Sequence, residues 1–282
     1  LFAFKNILKD HEEIIVINNY FGDYTPSDMM PWHYRLVWFY ITTPISIILL
    51  FISGLILASK NKLILISRSL DNNFQLEKKQ FVDLFLLLVF VVSFFIVLEF
   101  NKSKFGGWRH LYFLYPITIY FSIYFINFLR NSFVKIHYKF IIFFLIALNF
   151  GYNFLWSIKN HPHQYVFFNL LSKKYAMNNF DLDWWGISHK SSIRYILDND
   201  KNPKIRVYAI GFTSLRNSYL YLNEKDKSRI IISDYKNSKY IIDTKMKRIR
   251  VNYNLDKNKN FKLFYQLKIE NYPISSIYKR NN

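Results

Sequence analysis

Residues 36–58, LVWFYITTPISIILLFISGLILA, form one apolar run without a charge. A helix rising ~1.5 Å per residue needs roughly 20 residues to cross ~30 Å of hydrocarbon, and the run is that long. Three more stretches follow at Phe81 to Phe100, Leu111 to Leu129 and Phe140 to Ile158. The second carries Asp83 and Glu99 near its ends, where both can reach the interface. Lipid offers nothing to satisfy free backbone groups, so each stretch is expected to be helical. Trp38, Tyr40, Tyr112, Tyr115, Tyr152 and Trp156 crowd the ends, as in an interfacial belt. The expected fold class is an α-helical transmembrane region of four spans (36–158), after an outer loop (1–35) and before a small α/β soluble domain (159–282).

In that domain, Ser188 to Leu197 has helical spacing, with Ile193, Ile196 and Leu197 on one face. Ile205 to Ile210 is a short apolar run before Gly211, which predicts a buried strand turning into a helix over Thr213 to Leu222. Ile230 to Ser233 and Tyr240 to Ile242 read as further strands. Phe261 to Ile269 and Ile274 to Tyr278 read as a closing hairpin about Asn271-Tyr272-Pro273, giving a small α/β sandwich. The chain shows no internal repeat, and its one low-complexity stretch is the Lys/Asn-rich turn Asp256 to Asn260.

The net charge is +19, but Lys travels with abundant Asn, Ile, Phe and Tyr, as an AT-rich coding sequence would produce. From Lys159 onward 24 basic residues face 10 acids, which makes the soluble module +14. An anionic membrane surface is a cheaper partner for such a module than nucleic acid. The absence of cysteine excludes disulfides and thiolate metal sites. The chain opens Leu-Phe-Ala-Phe with no signal-peptide pattern, and is read as the C-terminal portion of a longer protein.

The segment 59–80 carries Lys60, Lys62, Arg68, Lys78 and Lys79 against Asp71 and Glu77, and the segment after span three carries Arg130, Lys135 and Lys139 with no acid. The positive-inside bias makes both cytoplasmic, which puts 1–35, 101–110 and the C-terminal domain on the outer face. The leading segment is acidic on balance, with Asp10, Glu12, Glu13, Asp23 and Asp28 against Lys5, Lys9 and Arg35, and fits that side. Lys102, Lys104 and Arg109 in the short outer loop run against the bias.

Several outer-face groups could carry chemistry. Pro31-Trp32-His33-Tyr34 offers an indole to stack on a sugar and an imidazole to donate to phosphate, or serves as an interfacial anchor. Gly106-Gly107-Trp108-Arg109-His110 pairs glycines that let backbone approach a ligand with a guanidinium that can grip phosphate; the alternative is a snorkelling arginine. His161 and His163, with Asp181 and Asp183 downstream, have poor spacing for a metal, so a divalent cation is disfavoured. Asp181-Leu182-Asp183-Trp184-Trp185-Gly186 has the carboxylates and indoles of a sugar contact, or of a loop packed against the membrane side. No Ser/His/Asp order, Walker loop or dinucleotide fingerprint is present, and the spans lack the paired Gly/Pro breaks of a transporter.

Four segments together resemble the C-terminal half of bacterial GT-C membrane glycosyltransferases, the family 39-like group related to protein O-mannosyltransferases and aminoarabinose transferase. They are Pro31-Trp32-His33-Tyr34 with Ile41-Thr42-Thr43-Pro44, Trp108 to Pro116, His161 to Asn169, and Asp181 to Ser188, and the order and spacing match across residues 20–200. The resemblance implies an inverting, multi-pass enzyme of the bacterial inner membrane. It would take a sugar from a polyprenyl-phosphate carrier to a protein, lipid or glycan acceptor, with its catalytic base in an acidic loop upstream of this chain and no cofactor beyond the lipid-linked donor. It implies carrier-phosphate or sugar contacts for Arg109, His110, Trp32 and His33, and acceptor or sugar contacts for His161, His163, Asp181, Asp183 and Trp184. Trp184-Trp185 and His163 depart from the pattern, on the acceptor side. The rival reading is a non-catalytic membrane protein whose outer module binds glycans or envelope partners.

Overall fold

Pro44 cuts the first apolar run in two. Proline has no N–H to donate, and its ring drives the residue before it out of the helical region. Thr43 is accordingly extended (φ −97°, ψ 136°), and the run divides into helix α1, Tyr34–Thr42, and helix α2, Ile45–Arg68. The structure, a computed structural model, describes residues 15–68, 78–100, 104–211, 214–244, 255 and 258–281. The acids Asp10, Glu12 and Glu13, residues 69–77 of the basic segment with Asp71 and Glu77, Lys102, Thr213 and the first residues of the Asp256 to Asn260 turn lie outside these.

The expectation of four spans followed by a small α/β domain is overturned. Among the described residues, two helical segments are long and apolar enough to cross a membrane: Arg109–Asn131, of mean hydropathy 1.4, and Ile136–Lys159, of mean hydropathy 1.8. The other two apolar runs give only the shorter stretches Ile45–Asn61 and Gln80–Phe95. The first of them loses its front to Pro44, and helix α3 spans Lys78–Phe100. The described residues hold nine α-helices, a five-stranded mixed sheet and a separate two-stranded ribbon.

The chain forms two compact units, one of residues Pro31–Lys159 with Phe168–Ser172, the other of the described residues up to Met30 with Asn160–Phe167 and Lys173 onward. In the helical unit, the short 3-10 segment Arg109–Leu114 leads into α4, Tyr115–Asn131, and α5 spans Ile136–Lys159. Helices α2 and α4 meet backbone to backbone at Gly54, where a β-carbon would stand 1.9 Å from the Phe121 carbonyl oxygen. Small residues permit such approach between apolar helices. Phe51, Ala58, Trp108, Leu111, Leu114, Ile117 and Phe121 fill the space around this crossing. Helix α5 touches α2 through Ser46, whose hydroxyl donates to Asn149 Oδ1 at 2.7 Å, but leaves Phe140 70%, Leu148 54% and Leu155 66% exposed.

In the other unit the sheet order is β4-β3-β5-β7-β6, with β3 (Ile205–Ile210) parallel to β4 (Ile230–Ile232) and β5 (Tyr240–Asp243). Strands β6 (Phe261–Ile269) and β7 (Tyr272–Arg280) close it antiparallel. Their turn falls at Glu270 and Asn271, both at positive φ (47° and 74°), the geometry that a two-residue hairpin asks for. The short helices α6 (Lys173–Asn179), α8 (Leu215–Leu220) and α9 (Glu224–Arg229) connect these elements to α7, Ser188–Asn199. Helix α7 lays Ile193, Ile196 and Leu197 on Ile205, Val207, Ile242 and Ile277, the i, i+3, i+4 face of an amphipathic helix. The leading ribbon, β1 (Ile17–Tyr20) with β2 (Asp23–Pro26), belongs to the same unit through a bridge from Tyr20 to Phe180.

Candidate functional site

The helical unit gathers three cationic side chains about one glycine turn. Gly106 and Gly107 both take positive φ (66° and 70°), which bends the chain sharply ahead of Trp108. The Gly107 N–H donates to the Tyr34 hydroxyl at 3.2 Å, so the start of α1 holds the turn. Trp108 Nε1 donates to the Thr42 hydroxyl at 2.9 Å, which in turn donates to the Trp38 carbonyl at 2.6 Å.

Arg109 folds back over this turn. Its guanidinium lies 4.9 Å from the centre of the Phe105 ring, and its Nε donates to His110 Nε2 at 3.2 Å. A β-carbon on Gly106 would come within 3.1 Å of that Nε, so the glycine makes room for the arginine. Arg35, next to Tyr34, is 1% exposed, and burial pulls its guanidinium down to about 10. Burial, aided by the Arg35 charge, also lowers the Lys104 ammonium from its usual range. Desolvated cations on a bent backbone suit an anion, because few competing waters weaken the attraction.

Beside them lies a cavity of about 230 Å³, lined by Arg35 together with Phe39, Phe51, Phe90, Phe94, Trp108 and Leu111. Its wall is apolar throughout, Arg35 contributing only its hydrocarbon stem, so the cavity suits an apolar tail beside the cations.

Of the residues singled out in the sequence, Arg109 and His110 are in direct contact here. Trp32 and His33 pack edge to face at 5.5 Å just before α1, and Trp32 is 62% exposed. Sequence reasoning counted Arg35 and Lys104 only as loop charge. It also passed over Asn169, whose side chain donates to the carbonyls of Tyr40 (2.6 Å) and Thr43 (3.1 Å) that Pro44 releases from the helix. No local pattern marks these three, because each acquires its meaning from a segment distant in sequence.

The remaining candidates lie in the sheet unit, and Asp181 and Asp183 turn to different tasks. Asp181 accepts from the Asn19 N–H at 3.0 Å, tying β1 down, and burial pushes its carboxyl up to about 8. Asp183 accepts from the N–H groups of Ile187 and Ser188 (3.0 Å each) and from the Ser188 hydroxyl, capping α7. Tyr165 also bonds Asp183, and burial, with that carboxylate, raises its phenol above the ordinary range. His163 Nδ1 stands 3.1 Å from the Tyr165 hydroxyl, and its Nε2 stands 3.4 Å from Ser191 Oγ. His163 and the wholly buried His189, which faces the Asp183 charge, are both lowered by desolvation. His161 pairs with Gln164 at 2.9 Å, and Trp184 is 7% exposed. Among the described residues no group of three His, Cys, Asp or Glu is placed to hold a metal ion.

No family model, curated protein or solved structure matches the chain.

Proposed function

We propose that the protein is a membrane glycosyltransferase that draws its sugar from a polyprenyl-phosphate carrier. The observation that carries this reading is the pairing of Arg35, Lys104 and Arg109 at the Gly106–Gly107 turn with the aromatic cavity beside Arg35. A polyprenyl phosphate has both halves of that description, an anionic head and a branched apolar tail. When the sugar leaves its carrier, negative charge grows on the phosphate. Cations already fixed in a dry site stabilise that charge without reorganising. Arg109 is held by Phe105 and His110, so its planar fork is presented in one orientation.

In this reading the helical unit lies in a bacterial inner membrane and the sheet unit on its outer face, where the acceptor is a protein, lipid or glycan. The outward apolar side chains of α5 suit a lipid-facing helix. Transfer is direct and inverting, with a carboxylate as base for the acceptor hydroxyl. His161, His163, Asp181, Asp183 and Trp184 would shape the acceptor side, with Asp183 acting by fixing the loop that precedes α7.

One observation favours the rival reading, an outer module that binds envelope material without catalysis. Lys262 and Lys279 face each other across β6 and β7, and with Arg280 they line a groove of about 330 Å³. Like charges in register repel, and an anionic polymer would relieve them.

Donor turnover separates the two. Membranes carrying the full protein should consume a polyprenyl-phosphate sugar, and Arg109→Ala should slow this roughly ten- to a hundredfold, the worth of a charge-assisted contact. Arg109→Lys should recover part of the rate. No consumption by the parent, with binding of anionic envelope polymer that Lys262→Ala and Lys279→Ala abolish, would favour the rival.

A further inference from the structure

Besides the buried Thr118 and Ser122 and the terminal Arg130, helix α4 carries one polar stripe. Tyr120, Tyr124, Asn127 and Asn131 recur at spacings of four, three and four, which stacks them on a single face. That face looks onto α2, where Asn61 Nδ2 donates to the Tyr124 hydroxyl at 3.0 Å. The top of the stripe is tied to α3, since Tyr120 donates a short hydrogen bond to the buried Asp83 carboxylate. Between α2 and α4 opens a groove of about 680 Å³, with Asn61, Tyr124 and Asn127 on its polar side and Leu57, Ile123 and Phe128 on its apolar side. Pockets of ~300–1,000 Å³ are the usual size for small ligands.

Basic residues adjoin the lower end of the groove without lining it. Ser132 lines it, and Lys139 donates to the Ser132 carbonyl at 2.7 Å and to the Arg130 carbonyl at 2.9 Å. That ammonium therefore sits at the C-terminus of α4, where the helix dipole already favours positive charge. Arg130 and Lys135 are exposed at the same end, and the stretch 130–139 contains no acid. Apolar walls, an amide and phenol floor and a cationic mouth together describe the layers of one molecule: acyl chains, glycerol esters and an anionic head.

The geometry points to a binding site for an anionic phospholipid in the groove between α2 and α4, its phosphate at Arg130, Lys135 and Lys139 and its esters along Asn127 and Tyr124. Basic pockets between membrane helices select such headgroups. The site does not depend on the transferase reading, because Arg109 and the Gly106–Gly107 turn take no part in it. It requires only that the helical unit be in lipid.

The test is lipid retention by native mass spectrometry, on the full chain released from nanodiscs holding equal amounts of phosphatidylglycerol and phosphatidylcholine with identical chains. Phosphatidylglycerol should be retained in preference, and the preference should fall roughly fivefold for each of Arg130→Gln and Lys135→Gln. Asn127→Leu should reduce retention of both lipids, and Asn127→Gln, which keeps the amide, should restore it. Circular dichroism at parental helix content shows that each variant is folded. Equal retention of the two lipids, a preference that survives both charge substitutions, or a groove closed by a second copy, seen as a lipid-free dimer, would overturn the assignment.

Discussion

The Gly107 N–H donates to the Tyr34 hydroxyl at 3.2 Å, across 73 residues of sequence. That bond joins the two segments that supply the cations, since Arg35 follows Tyr34 and Arg109 follows the turn two residues after Gly107. The turn is mechanically part of the site. Tyr34→Phe keeps the ring and removes the acceptor, leaving a buried N–H unsatisfied at about 1–3 kcal/mol. The expected result is a lower melting temperature with weakened donor use, read together by thermal unfolding in detergent and by the KM for donor. An unchanged KM would separate the turn from the site.

Gly54 and Gly151 sit in neighbouring apolar helices and should behave oppositely. A β-carbon at Gly54 meets the Phe121 carbonyl at 1.9 Å, whereas one at Gly151 has nothing within 4 Å. Gly54→Ala must push α2 from α4 and should cost about 1–3 kcal/mol, as overpacking does. Gly151→Ala should be neutral or slightly stabilising, because alanine is the better helix former. Thermal denaturation of the two variants at matched expression checks the pair.

The sheet unit should carry a pH signature from Asp181. Its folded-state pKa is pushed up to about 8 from 3.8, by burial. A raised carboxyl contributes its stability fully below the unfolded pKa and loses it as pH rises through the folded one. Parent stability should therefore decline between about pH 4 and 8 through this group. His163 and His189 act the other way: their lowered values mean that stability is present above the unfolded imidazole pKa and lost as pH falls below it. Asp181→Asn keeps an oxygen for the Asn19 N–H and cannot ionise, so the variant should gain on the parent as pH rises, by a few kcal/mol in order of magnitude. Unfolding midpoints of parent and variant across that range measure it; parallel curves would mean that Asp181 does not carry the effect.

Much of the sheet was legible because its strands are short apolar runs closed by turn residues, as at Ile205–Ile210 before Gly211. The hairpin turn fell one residue or so from its expected place, since Glu270 and Asn271 take the left-handed conformations while Pro273 sits within β7. The ribbon of β1 and β2 was not legible. Ile-Asn-Asn-Tyr has little strand pattern of its own, and its anchors are Phe180 and Asp181, far along the chain. Hydropathy averaged over the first apolar run hid Pro44, so a broken pair of helices read as one span. At the site, Arg109 was visible beside its paired glycines. Arg35 and Lys104 were not, because convergence on a turn is a tertiary fact.

The central claim is that the site at the Gly106–Gly107 turn holds a phosphate attached to an isoprenoid tail. Equilibrium binding of geranylgeranyl phosphate and of the uncharged alcohol geranylgeraniol to the purified chain in detergent tests it most directly. The expected result is tight binding of the phosphate, weak binding of the alcohol, and a loss of roughly ten- to a hundredfold in phosphate affinity with Arg109→Ala while alcohol binding stays the same. Equal affinity for phosphate and alcohol, or phosphate binding indifferent to Arg109→Ala, would contradict the account.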